Sequence, residues 1–269
     1  MQYHNFHTHS IYSDGKYTLR EMTDAAIEKG FTNLGFSDHS NNRVESYYCM
    51  TTEGERSYRK KVRALSEEYA DRIKIHLGVE QDSESEIPDF DYDYIISSVH
   101  EMARRGVSLP IDSSPELQKK LVDELFYGST DDFAKAYFEK VADNVARNRT
   151  DIIGHFDLVT KFNEGGKMFD ENSDAYKKIV YQTLEELVIS KPIFEVNTGA
   201  MTRGYRTRPY PADFILDYVS VHGCGLVLTS DCHKKALFGG FFDETEKRLR
   251  ERGLNNIFVL TSKGFIPVK

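Results

Sequence analysis

The residues in this chain best suited to chemistry are its histidines and the acids beside them. His7 and His9 flank Thr8, and Asp231 and His233 flank Cys232. In extended backbone, residues two apart point to the same side, so each pair can address one point in space. A helix would need a spacing of three or four. Further candidates stand at Asp38-His39, Glu80, His100, His155 and Glu195. Imidazole and carboxylate together suit Zn, Mn or Fe better than Ca or Mg. The set is too large for one ion, which takes about four to six ligands. It suffices for two or three ions if a carboxylate bridges. Clustered ions suit phosphoryl chemistry, because a pair can hold a bridging hydroxide as nucleophile and neutralise the phosphate and leaving oxygens.

These side chains need a scaffold that brings them together. Short apolar runs at Tyr3–Phe6, Asn33–Ser37, Ile73–Val79, Tyr92–Ser98, Asp151–Gly154, Pro192–Val196, Gly225–Thr229 and Asn256–Leu260 predict strands covered on both faces. Amphipathic segments lie between them. Thr18 with Glu21, and Thr52 with Glu55, have capping-box spacing, and Gly30 closes the first helix. Ser114-Pro115-Glu116 opens another helix, as do Ser173-Asp174, and Pro211–His222 and Asp243–Arg252 follow. Alternating strands and helices predict an α/β chain with a mainly parallel sheet. Seven of the eight candidate strands carry a metal-type ligand at or just past the C-terminal end. In a β/α barrel all such ends meet on one face. A lone histidine near a strand end is usually a hydrogen-bonded structural residue, but six of nine at matching places favour ligation. His4 and His76 fall inside strands, and His222 ends a helix, where a partly charged ring suits the dipole. The interval 101–150 reads as two helices without a strand, an insertion over one end of the barrel.

The bulk composition is compatible with this reading. With 269 residues, 39% hydrophobic and 29% charged, the chain can form one large soluble domain spanning 1–269. A net charge of -8 gives no attraction to long nucleic acids or anionic membranes, though it admits a small phosphate monoester. Cys49, Cys224 and Cys232 are too few and too scattered for a disulfide framework. No signal-like segment or membrane-spanning stretch is evident, so a cytoplasmic location is expected. Oligomeric state cannot be read from the sequence.

The motifs FHTHS with SDG at 6–15, FSDHS at 36–40, LGVE at 77–80, SSVH at 97–100, GHFD at 154–157, FEVNTG at 194–199 and TSDCH at 229–233 resemble the PHP (polymerase and histidinol phosphatase) family. Within it, the chain looks like the stand-alone histidinol-phosphate phosphatases. The resemblance implies a distorted barrel of seven β/α units with the site at the strand C-termini. It also implies three divalent ions (Zn, Mn or Fe). The first would be held by His7, His9, Glu80 and Asp231. The second would share Glu80 and add His100 and His155. Asp14, His39 and His233 would hold the third, and the place of Asp14 rests on the family motif alone. The implied reaction is hydrolysis of L-histidinol phosphate, in histidine biosynthesis, by a metal-bridging hydroxide. Other small phosphate esters or nucleotides are the alternative. Asp231, His233 and His39 are candidates for the chemical step. Glu195 has no metal in this scheme and would orient a ligand or a substrate amine. Arg203 is the first candidate to grip phosphate, because a guanidinium can pair two oxygens at once. Arg206 and Arg208 compete with it, and Lys161 could assist.

Overall fold

The structure is a computed structural model, and it describes residues 3–43, 47–88 and 90–268. In chain order the elements are β1 (Tyr3–Asn5), α1 (Leu19–Glu28), β2 (Phe31–Phe36), α2 (Thr52–Glu68), β3 (Lys74–Asp82), β4 (Tyr94–Ser98), β5 (Glu101–Arg104), β6 (Val107–Pro110), α3 (Pro115–Phe126) and α4 (Thr130–Arg147). There follow β7 (Ile152–Ile153), α5 (Asp174–Leu187), β8 (Ile193–Asn197), α6 (Gly199–Thr202), α7 (Asp213–Val221), β9 (Gly225–Thr229), α8 (Phe242–Glu251), β10 (Phe258–Thr261) and β11 (Gly264–Pro267). Local chemistry accounts for several helix starts. Thr18 and Glu21 form the full capping box of α1, and Ser114 caps α3 with Pro115 in its first turn. For α2 the cap is Thr51, not Thr52, and its side chain accepts from Gly54 N.

Seven parallel strands lie in the order β1-β2-β3-β4-β7-β8-β9. The ring is nearly closed. Beyond the ends of β1 and β9, His9 N donates to Cys232 O (3.0 Å) and Cys232 N to His7 O (3.1 Å). The eighth candidate strand departs from expectation. Residues 258–261 pair antiparallel with β11 outside the barrel, although Ile257 still bridges to Leu226. The hairpin plugs the barrel mouth opposite the strand C-termini, where Leu260 and Phe265 pack with Phe6, Tyr94, Ile96, Ile152 and Val227. Tyr94 fills this interior because β2 and β3 yield space: a Cβ at Gly35 or Gly78 would come within 2.2 Å of its phenol. Its hydroxyl donates to Phe6 O (2.6 Å). The larger core lies between the strands and the surrounding helices.

The interval 101–150 also departs from the sequence reading. An antiparallel hairpin, β5 with β6, precedes its two helices. Its turn is Arg105-Gly106, both with positive φ (54° and 78°), the signature of a tight two-residue hairpin loop.

Candidate metal centre

The strand C-termini gather His7, His9, Asp14, His39, Glu80, His100, His155, Asp231 and His233 at one mouth. Glu80, at the end of β3, is the hub. Its Oε2 lies 3.1 Å from His7 Nε2, 3.5 Å from His9 Nε2 and 3.0 Å from His39 Nδ1. Its Oε1 lies 3.0 Å from His155 Nε2 and 3.4 Å from His100 Nε2. Asp231 Oδ1 approaches His9 Nε2 at 3.4 Å and His7 Nε2 at 3.8 Å. Asp14 Oδ1 stands 3.1 Å from His233 Nε2 and 3.8 Å from His39 Nε2. Four sets could each surround an ion: His7, Glu80 and His155; His7, His9 and Asp231; His39, Glu80 and His100; and His9, Asp14, His39 and His233.

Neighbouring groups aim these donors. Glu195, fully buried, accepts from His7 Nδ1 (2.5 Å), His155 N (2.6 Å), Thr229 Oγ1 (2.6 Å) and Asn197 Nδ2 (3.0 Å). Four donors on two oxygens require the ionised carboxylate, and they place the proton of His7 on Nδ1 and its lone pair toward the centre. Asp82 does the same for His100, accepting from both its Nδ1 and its backbone N at 3.0 Å. His233 Nδ1 faces the Asp231 carbonyl at 3.0 Å. Asp231 itself sits at φ 45°, a backbone region that non-glycine residues seldom occupy, and Gly199 leaves it room: a Cβ there would meet the Asp231 Cβ at 2.9 Å. Gly15 has a comparable reason, since a Cβ would strike the His9 and Ser10 backbone at 2.5–2.6 Å.

Asp38 corrects the strand-end argument. Its carboxylate accepts from the backbone N and Oγ of both Ser10 and Ser13, so it secures the loop that leads to Asp14. The Cys232 thiol likewise turns away, donating to Lys234 O at 3.2 Å.

The electrostatics call for cations. Burial opposes ionisation of Glu80, yet His7, His39, His100 and His155 hold it well below the usual carboxylate range. Burial also opposes Asp231, and Arg203, His7, His9 and His233 outweigh it. Burial and then the neighbours His233 and His39 push His9 down to about 3, so its ring is neutral and keeps a lone pair. Buried atoms without a hydrogen-bond partner include His7 Nε2, His9 Nε2, Asp14 Oδ1, His39 Nδ1 and Glu80 Oε2. Orphaned acceptors are costly in a protein interior unless something positive lies among them. Divalent ions fit this donor set.

The centre opens into a cavity of about 570 Å³. Arg203 borders it, donating to the Asp231 carbonyl (3.1 Å) and carboxylate (2.9 Å). Lys161 also borders it, held by Asp112 at 2.9 Å. Arg206 does not. It pairs with Glu171 (2.8 Å) and Glu164 (3.4 Å) beside a different surface cavity, which Arg208 shares. Both arginines follow Arg203 closely in sequence, but the loop turns them outward. The sequence reading singled out none of Lys16, Tyr48, Glu101 and Asp112, which also line the main cavity. The turn-forming Arg105-Gly106 was the available signal for the wall that carries Glu101. Of the segment Ser40–Tyr48, residues 44–46 lie outside the described residues; Tyr47 and Tyr48 line the cavity.

Known proteins resemble this arrangement at two levels. In sequence, the chain is 28% identical to the Schizosaccharomyces pombe protein named probable histidinol-phosphatase, over 94% of this chain and 88% of that one. It is 25% identical to a protein of the same name from Deinococcus radiodurans, over 88% of each. In structure, it superposes with TM-score 0.73 on histidinol phosphate phosphatase from Lactococcus lactis, solved with zinc, L-histidinol and phosphate. That likeness covers 98% of each chain at 18% identity and concerns the fold. The PHP domain model matches residues 5–199, which run from the last residue of β1 to just past β8 and include all of the gathered donors except Asp231 and His233. By that match, and by the seven-stranded barrel with its crowded mouth, this chain belongs to the PHP domain family.

Proposed function

We propose that this protein is a metal-dependent phosphomonoesterase that converts L-histidinol phosphate to L-histidinol and phosphate. The observation that carries the proposal is the convergence of buried, partnerless imidazole and carboxylate atoms beside one cavity. The names of its relatives support the choice of substrate. Three divalent ions would be held by His7, His9, Glu80 and Asp231; by Glu80, His100 and His155; and by Asp14, His39 and His233. Bound there, Zn, Mn or Fe would supply Lewis acidity and make a water nucleophilic at neutral pH.

The chain's own residues do the rest. Arg203 is held by two bonds to Asp231 and so presents its guanidinium beside the ligand cluster, where it can pair phosphate oxygens. Lys161 adds a second positive charge on the cavity wall. His39 and His233 stand at the cavity side of the cluster, and a ring there that is not fully committed to an ion would pass a proton to the departing alkoxide. Residues 1–269 are read as one domain acting in the cytoplasm, with 101–150 forming part of the cavity wall. Among the described residues no helix is long and apolar enough to cross a membrane.

The test is a panel of small phosphate monoesters that includes histidinol phosphate, run before and after chelation. We expect turnover of histidinol phosphate, its loss on chelation, and its return with Mn, Zn or Fe. Undiminished turnover by verified metal-free protein would end the metal mechanism. Equal rates across the panel would demote the substrate and leave the phosphatase.

A further inference from the structure

The donors at the barrel mouth divide into an inner and an outer group. His7, His9, Glu80, His100, His155 and Asp231 have side chains no more than 9% exposed. Asp14 and His233 are 29% and 20% exposed. Two rings stand between the groups. His9 turns Nε2 toward Asp231 (3.4 Å) and Nδ1 toward Asp14 (3.7 Å). His39 turns Nδ1 toward Glu80 (3.0 Å) and Nε2 toward Asp14 (3.8 Å).

A neutral imidazole has one lone pair and one N–H, so each of these rings can ligate on one side only. His9 ligating inward through Nε2 leaves its Nδ1–H to face Ser13 Oγ at 3.4 Å. His39 ligating outward through Nε2 leaves its Nδ1–H facing Glu80 Oε2 at 3.0 Å. The outer site is then Asp14, His39 and His233, with a single carboxylate. The inner pair has two carboxylates and four rings. Within it, carboxylates hold His7 Nδ1 (Glu195, 2.5 Å) and His100 Nδ1 (Asp82, 3.0 Å), whereas His233 Nδ1 in the outer site meets the Asp231 carbonyl at 3.0 Å, with that residue's carboxylate farther off at 3.4 Å. Carboxylate anchoring raises ligand basicity and fixes ring direction. Greater solvent exposure and the weaker anchoring of His233 both act against the outer site.

We propose that the centre loads in two tiers, with the Asp14–His39–His233 site exchanging its ion while the inner pair is retained. This rests on the proposed metal centre above. The test counts ions rather than turnover. Full-length protein is loaded with Mn or Zn, freed of excess metal, and equilibrated with increasing chelator. Metal per chain is then measured by mass spectrometry. We expect a plateau at two ions, the third leaving at a chelator concentration at least about 10-fold lower. Asp14→Asn should start at that plateau and lack the first step, with unchanged circular dichroism. Should that variant fold poorly, His233→Asn serves the same purpose. Glu195→Gln should move the second step and leave the first in place. A single step in which all ions leave together would overturn the two-tier order while sparing the metal centre. So would an Asp14→Asn protein that loses no ion or loses every ion. A wild-type protein that retains no metal after loading would remove both the centre and the tiers.

Discussion

The two ends of the barrel use the same side chain for opposite purposes. Near the plugged end, His4 stacks on Phe6 with ring centroids 5.4 Å apart, and His76 meets the edge of the same ring at 5.6 Å. At the open end six imidazoles crowd around Glu80, Asp231 and Asp14, with His9 and His233 stacked at 4.2 Å. Burial is common to both ends, so burial does not separate them. What differs is the company of the ring nitrogens. Burial drives His76 down to about 4, and Asp93 offsets this only in part. At the open end burial pulls the same way on His100, but Glu80 and Asp82 overcome it and raise the ring to about 10. A histidine surrounded by aromatic rings is packing material, whereas a histidine facing several carboxylates belongs to a cation site.

The contrast can be broken most forcefully at Glu80. Glu80→Ala removes the hub of the open end, and we expect activity to fall by about 10³-fold or more, with metal lost and the fold retained. Unchanged metal content, measured by mass spectrometry, would take Glu80 out of the centre. Next in size is Glu195→Gln. An amide cannot accept four hydrogen bonds, so at least one donor is left facing an N–H. Metal affinity should drop about 10–100-fold and activity should recover partly in excess metal. Full activity without added metal would argue that Glu195 does not position His7. At the plugged end, Tyr94→Phe leaves the Phe6 carbonyl short of a donor. It should cost about 1–3 kcal/mol in denaturant unfolding while kcat stays put; a matching loss of kcat would show that the two ends are coupled.

The smallest effect concerns His76 and acid. Its folded pKa lies below the ordinary value of 6.5, so between pH 6.5 and 4 the unfolded chain binds the extra proton. Stability is therefore complete above pH 6.5 and is lost as the pH falls through that window. Lowering the pH from 7.5 to 5.5 should cost about 1 kcal/mol through this residue. In a His76→Leu variant, unfolding curves at the two pH values should differ less than in the wild type by that amount. Equal differences would mean that His76 does not stay neutral.

Much of the open end was legible in the sequence because its chemistry is conspicuous. His7 with His9 and Asp231 with His233 state both ligand type and direction in three residues. The strands were legible too, since β9 is a short run that is apolar up to its closing Thr229. The plugged end was harder. Residues 256–260 are as apolar as a barrel strand, and nothing local says that β10 folds back on β11 instead. The β5–β6 hairpin was missed because four-residue strands carry little periodicity, and only Gly106 marked the turn. Arg206 shows the limit of proximity in sequence: three residues beyond Arg203, it answers to Glu171 and Glu164 across the loop. Asp38 shows the same limit for residue type, because a carboxylate beside the cluster histidine His39 spends its lone pairs on Ser10 and Ser13.

The ring of strands has one seam, fastened where Thr8 meets Cys232. His7 and His9 flank one tab of that clasp, and Asp231 and His233 flank the other. Parting the seam therefore scatters the donors, and drawing the donors together shuts the seam. Closure of the wall and assembly of the donor cluster draw on the same two three-residue stretches.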